Sequence, residues 1–158
     1  MAKRSSRRAF VTAIAGATAA AGAIVRAQTG GVRGFDHVAL PMRNSDAMVA
    51  FYRGLGFQMS ETPSVVSVYV GEQMINFHRP ALWQNPTFSL RAPAATPPCG
   101  DLCFVWDGTA AALSSMLDRA GATIIEGPVE RRGGRKTQGS SVYVRDPDGN
   151  LLEFIIYA

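Results

Sequence analysis

Near the C-terminus, in Val142–Tyr157, VYVRDPDGNLLEFIIY, the carboxylate Glu153 stands amid the apolar residues of a strand. The centre of that stretch, Pro147-Asp148-Gly149, has the chemistry of a three-residue hairpin loop. Proline presets φ there, and glycine takes the φ > 0 position of a bulge. The turn puts Asp146 opposite Asn150 and Tyr143 opposite Glu153. Strand alternation then divides the hairpin. Val142, Val144, Leu152, Phe154 and Ile156 share one face. Ser141, Tyr143, Arg145 and Glu153 share the other, with Leu151, Ile155 and Tyr157. An unpaired charge is costly among apolar groups, so Glu153 requires a partner: an arginine, a proton or a metal ion. A carboxylate so placed can also take a proton from a substrate. Tyr143 and Ser141 can bind substrate oxygens, and Tyr143 can act in acid/base chemistry.

The elements that must position these groups follow from periodicity and punctuation. Phe35–Met42 alternates as a strand carrying His37. Asn44 or Ser45 can cap a helix over Asp46–Gly54, with Met48, Val49, Phe51, Tyr52 and Leu55 as its apolar stripe. Phe57–Glu61 is a short strand. Val65–Val70 and Gln73–His78 flank the two-residue turn Gly71-Glu72, and Met74, Asn76 and His78 share a face. Residues 80–99 contain five of the nine prolines and read as an irregular linker. The pattern then restarts. Asp101–Trp106 is a strand, Asp107 or Thr109 caps a helix over Ala110–Ala120, and Thr123–Glu126 is a strand before the hairpin. Arg131, Arg132, Arg135 and Lys136 read as part of a solvated, glycine-rich loop, Gly127–Gly139.

The order is therefore βαβββ, linker, βαβββ, an internal repeat: module 1 over 34–79, linker 80–99, module 2 over 100–157. The fold class expected is α+β, two tandem modules forming a curved mixed sheet, a cup, with helices on its outer face. Aligning the modules sets His37 against Asp101 and Asn76 against Glu153. Cys99 and Cys103 are too far apart along a strand for a disulfide. They read as two thiols, with Cys103 packed as a small hydrophobe.

Five of the sixteen basic residues lie in residues 1–27, which contain no acid; the remaining eleven face twelve acidic residues. The rest of the chain is near neutral, so nothing points to nucleic acid as a partner. Residues 1–27 read as a signal peptide rather than part of the fold: a basic start, a weakly hydrophobic run Phe10–Val25, and Val25-Arg26-Ala27 as a cleavage site. Ser6-Arg7-Arg8-Ala9-Phe10-Val11 resembles the bacterial twin-arginine export motif. The resemblance implies a transient encounter with that export machinery, a periplasmic or extracellular mature chain over 28–158, and no stable membrane anchor after cleavage.

From Gly34 to Tyr157 the chain resembles the vicinal oxygen chelate superfamily, the glyoxalase I, bleomycin-resistance and extradiol-dioxygenase group. The residues that carry the resemblance are Phe35-Asp36-His37-Val38-Ala39-Leu40, Phe51-Tyr52-Arg53-Gly54-Leu55-Gly56-Phe57, Met74-Ile75-Asn76-Phe77-His78, Gly100-Asp101-Leu102-Cys103-Phe104, Glu126-Gly127-Pro128-Val129-Glu130-Arg131 and, most recognisably, Tyr143 to Glu153. The resemblance implies a divalent ion in the cup, held by the first strand of each module and by last-strand residues. His37 and Glu153 match a His and a Glu that serve as ligands in many members. Asp101 stands where a histidine is common. Asn76 stands where glyoxalase I has a glutamate, with His78 two residues on. The implied metal set is thus His37, Glu153, Asp101 and His78, for Fe²⁺, Mn²⁺, Ni²⁺, Co²⁺ or Zn²⁺. Glu153 and Tyr143 are the candidate catalytic pair, and Ser141, Tyr143, Asn76 and Arg145 the candidate substrate contacts. The implied function is a metal-dependent lyase, isomerase or dioxygenase acting on a small oxygen-chelating substrate. The alternative is a metal-free module that sequesters a small molecule of the antibiotic type. Many relatives are homodimers, and two modules are compatible with a cup within one chain or across two.

Overall fold

Hydrophobic alternation and turn chemistry place most elements where the sequence puts them. The computed structural model describes residues 30–158. The expected leader and its twin-arginine motif lie outside the described residues. Gly34–Ala158 forms one compact unit. Among the described residues no helix is long and apolar enough to cross a membrane.

Module 1 comprises β1 (His37–Pro41), α1 (Ser45–Gly54), β2 (Gln58–Glu61), β3 (Val65–Val70) and β4 (Gln73–His78). A single helical turn, α2 (Pro80–Trp83), follows. Module 2 comprises β5 (Asp101–Val105), α3 (Ala110–Arg119), β6 (Glu126–Arg132), β7 (Gln138–Arg145) and β8 (Leu151–Ile156). Each module builds one four-stranded mixed sheet, ordered β1-β4-β3-β2 and β5-β8-β7-β6. In each, the first strand runs parallel to the last and the remaining pairs are antiparallel. The registers match: Ala39 pairs with Asn76 as Cys103 pairs with Glu153, and His37 pairs with Met74 as Asp101 pairs with Leu151. His37 and Asp101 are therefore equivalent positions, as are Asn76 and Glu153.

One core serves both modules. Met48 and Tyr52 of α1 pack with Val66, Val68, Ile75 and Phe77, and Leu113, Met116 and Leu117 of α3 pack with Phe104, Val144, Leu152 and Phe154. Phe57 and Phe104 join the two groups, with ring centroids 5.2 Å apart. The helices thus cover the face that carries these apolar side chains. Alternation leaves His37, Asn76, His78, Asp101, Cys103 and Glu153 on the opposite face.

The closing hairpin also fastens the modules together. Asp146 N–H donates to the Asn150 carbonyl at 3.1 Å, and Gly149 has φ 94°. The buried Asp148 carboxylate accepts from the backbone N–H of Arg43 at 2.6 Å and of Asn44 at 2.9 Å, and from Asn44 Nδ2 at 2.8 Å. Asn44 precedes α1 but makes no side-chain cap bond to it; its side chain is held by module 2 instead. Thr109 caps α3 as its type predicts, accepting from Ala112 N–H at 3.1 Å. Tyr52 of α1 donates to Asp146 at 3.1 Å.

Four expectations are corrected. The strand expected over Thr123–Glu126 is not formed there: Thr123, Ile124 and Ile125 precede β6, which begins only at Glu126. The loop assigned to Gly127–Gly139 is mostly strand: β6 runs from Glu126 to Arg132 and β7 begins at Gln138. A register shift between Glu126 and Val129, with Gly127 at φ 116°, breaks the alternation that would have revealed it. The linker contains the turn α2, which begins at Pro80, a residue type suited to a first helical position. Cys103 is a free thiol, as is Cys99, but it is exposed on the uncovered face rather than packed inside.

Candidate functional site

On module 2 the uncovered face carries a row of chemically active side chains. Cys103, Glu153 and Tyr143 lie side by side on β5, β8 and β7 at matched register, and Glu126 of β6 pairs with Tyr143. Ser141 is fully buried and donates through Oγ to Glu153 Oε1 at 2.5 Å. The Cys103 thiol stands beside Glu153, its register partner on the neighbouring strand. Though the residue is exposed at the surface, its thiol pKa is pushed up to about 12, first by partial burial of the side chain and then by the neighbouring carboxylates of Glu153 and Asp101. The thiol is therefore a donor at neutral pH rather than a nucleophile. Tyr143 accepts from Arg131 Nε at 3.1 Å, and the same guanidinium donates to Glu126 at 2.8 Å. Burial raises the Tyr143 pKa; the Arg131 hydrogen bond opposes this, and Glu153 adds to it. The phenol stays protonated and can donate to a ligand oxygen. The face thus offers a carboxylate oriented by a buried hydroxyl, beside a neutral thiol and a neutral phenol.

On module 1 the corresponding face is milder. His37 is exposed on β1, and its Nδ1 donates to Asp36 at 2.7 Å. With the proton on Nδ1, the neutral form of the ring presents Nε2 as its lone-pair atom, the arrangement of a metal-binding histidine. Asn76, the counterpart of Glu153, accepts from Ser67 Oγ at 2.6 Å. His37 and Asp101 line the same cavity, of about 340 Å³, at the mouth between β1 and β5; Glu153 does not line it. His78 lines a different cavity, of about 400 Å³, against α2 and the linker. Its pKa is lowered, mainly by burial and then by His37, which favours the neutral ring. Arg145 turns back to its own hairpin and donates to the Gly149 carbonyl at 2.9 Å, away from Glu153.

Among the described residues, no three His, Cys, Asp or Glu side chains come together as a metal-holding group. The donor set expected in one cup is divided between two sheets, and within a single chain it does not fit a divalent ion. The structure adds residues the sequence did not mark as functional. Cys103 reaches Glu153 only because β5 and β8 pair in parallel, a contact between residues fifty positions apart. Arg131 and Glu126 bracket Tyr143 because the bulged β6 is a strand. Trp83 and Arg91, in the linker, line the His78 cavity.

Comparison with known proteins agrees with this architecture. Residues 34–154 match the family model described as the Glyoxalase/Bleomycin resistance protein/Dioxygenase superfamily. The chain is 36% identical over 124 residues to Virulence protein STM3117 of Salmonella typhimurium, covering 77% of this chain and 83% of that one. The crystal structure of that protein superposes with a TM-score of 0.71 over 82% of this chain and 100% of the other. A Glyoxalase domain-containing protein, RDO1, of Mycosarcoma maydis is 33% identical over 129 residues, 80% of this chain and 69% of that one. A lactoylglutathione lyase from Agrobacterium tumefaciens, 26% identical, superposes with a TM-score of 0.59 over 80% of this chain and 95% of its own. With the paired βαβββ modules and the matched registers, these similarities establish that the chain belongs to the glyoxalase/bleomycin resistance/dioxygenase superfamily.

Proposed function

We propose that the protein is an exported, divalent-metal-dependent enzyme of the lyase, isomerase or dioxygenase type, acting on a small substrate with neighbouring oxygens. The observation that carries this reading is the placement of His37, Asp101 and Glu153 on uncovered sheet faces at repeat-related strand positions. These three do not meet within one chain. β1 and β5 are both edge strands, and Phe35, Val38 and Val105 around them are exposed. Open edges flanked by apolar side chains are suited to pairing with another chain. A second copy that lays its β1 beside β5 brings its His37 to Asp101 and Glu153, so the complete cup belongs to a homodimer. A bound divalent ion would supply Lewis-acid stabilisation of substrate oxygens, or activation of dioxygen if ferrous. The chain's own residues do the rest. Ser141 holds the Glu153 carboxylate, Glu153 takes a proton from the substrate, and the Tyr143 hydroxyl donates to a substrate oxygen.

The division of donors between sheets also favours a second reading, a metal-free binding module whose cavities hold a small molecule without turnover. Metal content separates the two. Mature protein, 28–158, reconstituted with Fe²⁺, Mn²⁺, Ni²⁺, Co²⁺ or Zn²⁺ should hold one ion per chain and sediment as a dimer. His37→Ala and Glu153→Ala should each lose the ion while remaining folded. Wild-type protein that takes up none of these ions would leave the binding-module reading. Export is tested by Arg7→Lys with Arg8→Lys, which should retain the unprocessed chain in the cytoplasm of a bacterial host.

A further inference from the structure

The cavity beside His78 has a chemistry of its own. About 400 Å³ in volume, it lies on the uncovered face of module 1, walled by Ala39, Pro41 and His78 on the sheet and by Trp83, Leu90 and Arg91 beyond it. That volume falls within the range of small-ligand sites. Two of its ring-bearing walls, Trp83 and His78, are held by neighbours. The Trp83 indole N–H donates to the Met42 carbonyl at 2.8 Å, which sets the plane of the ring. Phe88 packs edge-on against His78, with centroids 5.4 Å apart. Arg91 is the one permanently charged side chain in the lining, and no acidic residue lines the cavity. Arg91 donates through Nη1 to the carbonyls of Pro93 at 3.1 Å and Ala92 at 3.4 Å. Among the described residues no hydrogen bond uses its Nε or Nη2. Those two N–H groups form the side of a guanidinium that takes a carboxylate with two parallel hydrogen bonds.

We infer that this cavity is a binding site for an aromatic carboxylate, with the flat apolar body against Trp83 and Pro41 and the carboxylate on Arg91. Aromatic walls favour a planar, unsaturated body, and a lone cation in an apolar setting favours one negative charge. The inference extends the cup reading only in making this the substrate subsite; the cavity itself is formed by one chain and needs neither a second copy nor a metal.

The test is calorimetric titration of the full mature chain, stripped of divalent ions with EDTA, with benzoate and with its neutral isostere benzamide. Benzoate should bind about tenfold more tightly than benzamide, the order expected for a charge-assisted pair. Arg91→Gln should remove that preference and Arg91→Lys should keep part of it. Trp83→Ala should weaken both probes alike. Circular dichroism verifies the fold of each variant. Arg119→Gln, in the last turn of α3 and outside the cavity, should leave both affinities unchanged. Equal affinity for the two probes, a preference that survives Arg91→Gln, a preference lost in Arg119→Gln, or no binding of either probe at millimolar concentration would overturn the inference.

Discussion

Ser141 Oγ lies 2.5 Å from Glu153 Oε1, a bond donated from β7 to β8 by a hydroxyl with no exposed surface. A serine whose only hydrogen-bond partner among the described side chains is the candidate base is there to orient it. Ser141→Ala removes a bond to a charged, part-buried acceptor and should cost about 1–2 kcal/mol of stability, read by urea denaturation. Ser141→Thr keeps the donor and should recover part of the orientation while crowding the site. An alanine variant as stable as the wild type would show that the bond does not hold Glu153.

The neutral thiol of Cys103 makes a pH prediction. Its folded pKa, about 12, stands above the ordinary thiol value of 9.0. The folded state therefore keeps a proton that the unfolded state releases between those values. The stability this contributes is fully present below pH 9 and is lost as pH rises towards 12. In EDTA-treated protein, iodoacetamide should modify Cys103 far more slowly at pH 8.5 than it modifies a free thiol. Glu153→Gln should accelerate the reaction by removing the neighbouring charge. Peptide mapping distinguishes Cys103 from Cys99, and equal rates in wild type and variant would refute the coupling.

Asp148 joins the modules as well as closing the hairpin. Replacing it with alanine strands the backbone N–H groups of Arg43 and Asn44 at the start of α1 and removes a negative charge from that helix N-terminus. Asp148→Ala should cost about 2–3 kcal/mol, seen as a lowered Tm. Tyr52→Phe, which loses only the bond to Asp146, should cost about 1 kcal/mol. The order of the two variants is the test: an Asp148→Ala protein more stable than Tyr52→Phe would contradict the role given to Asp148.

Gly127 occupies a position closed to other residues. Its φ is 116°, and a Cβ there would lie 2.5 Å from the Ser141 carbonyl oxygen and 2.8 Å from Val142 Cα. Gly127→Ala should therefore cost about 3 kcal/mol, from strain and from displacement of β7. Gly134→Ala, where no atom lies within 4 Å of the added methyl, should change stability by no more than about 0.5 kcal/mol. Equal melting temperatures for the two variants would refute the packing described for the bulge.

What was legible in the sequence depended on local signals. The turn chemistry of Pro147-Asp148-Gly149 was enough to pair Tyr143 with Glu153, and the repeat was enough to equate His37 with Asp101. β6 was not legible because Gly127 and Pro128 interrupt its period, so a strand read as a loop. Cys103 looked like a small core residue because alternation assigns it a face only once the neighbouring strand is known. The Trp83 and Arg91 cavity was hidden for a similar reason: the proline-rich segment carries no period, and only the folded chain shows that it returns across the sheet. The division of the candidate metal donors between two sheets is a tertiary fact with no local signature.

The most direct test of the two-chain site is metal content in a mixed dimer. Chains carrying His37→Ala and chains carrying Glu153→Ala are refolded together with one metal, Mn²⁺, and the hybrid is isolated through distinct affinity tags. On the proposed arrangement, each variant alone lacks a complete site anywhere in its dimer. In the hybrid, one site pairs an intact His37 with the intact Asp101 and Glu153 of the other chain. The account predicts about one ion per hybrid dimer and none above background in either variant alone. A hybrid as empty as its parents, beside a wild type that binds the ion, would contradict it.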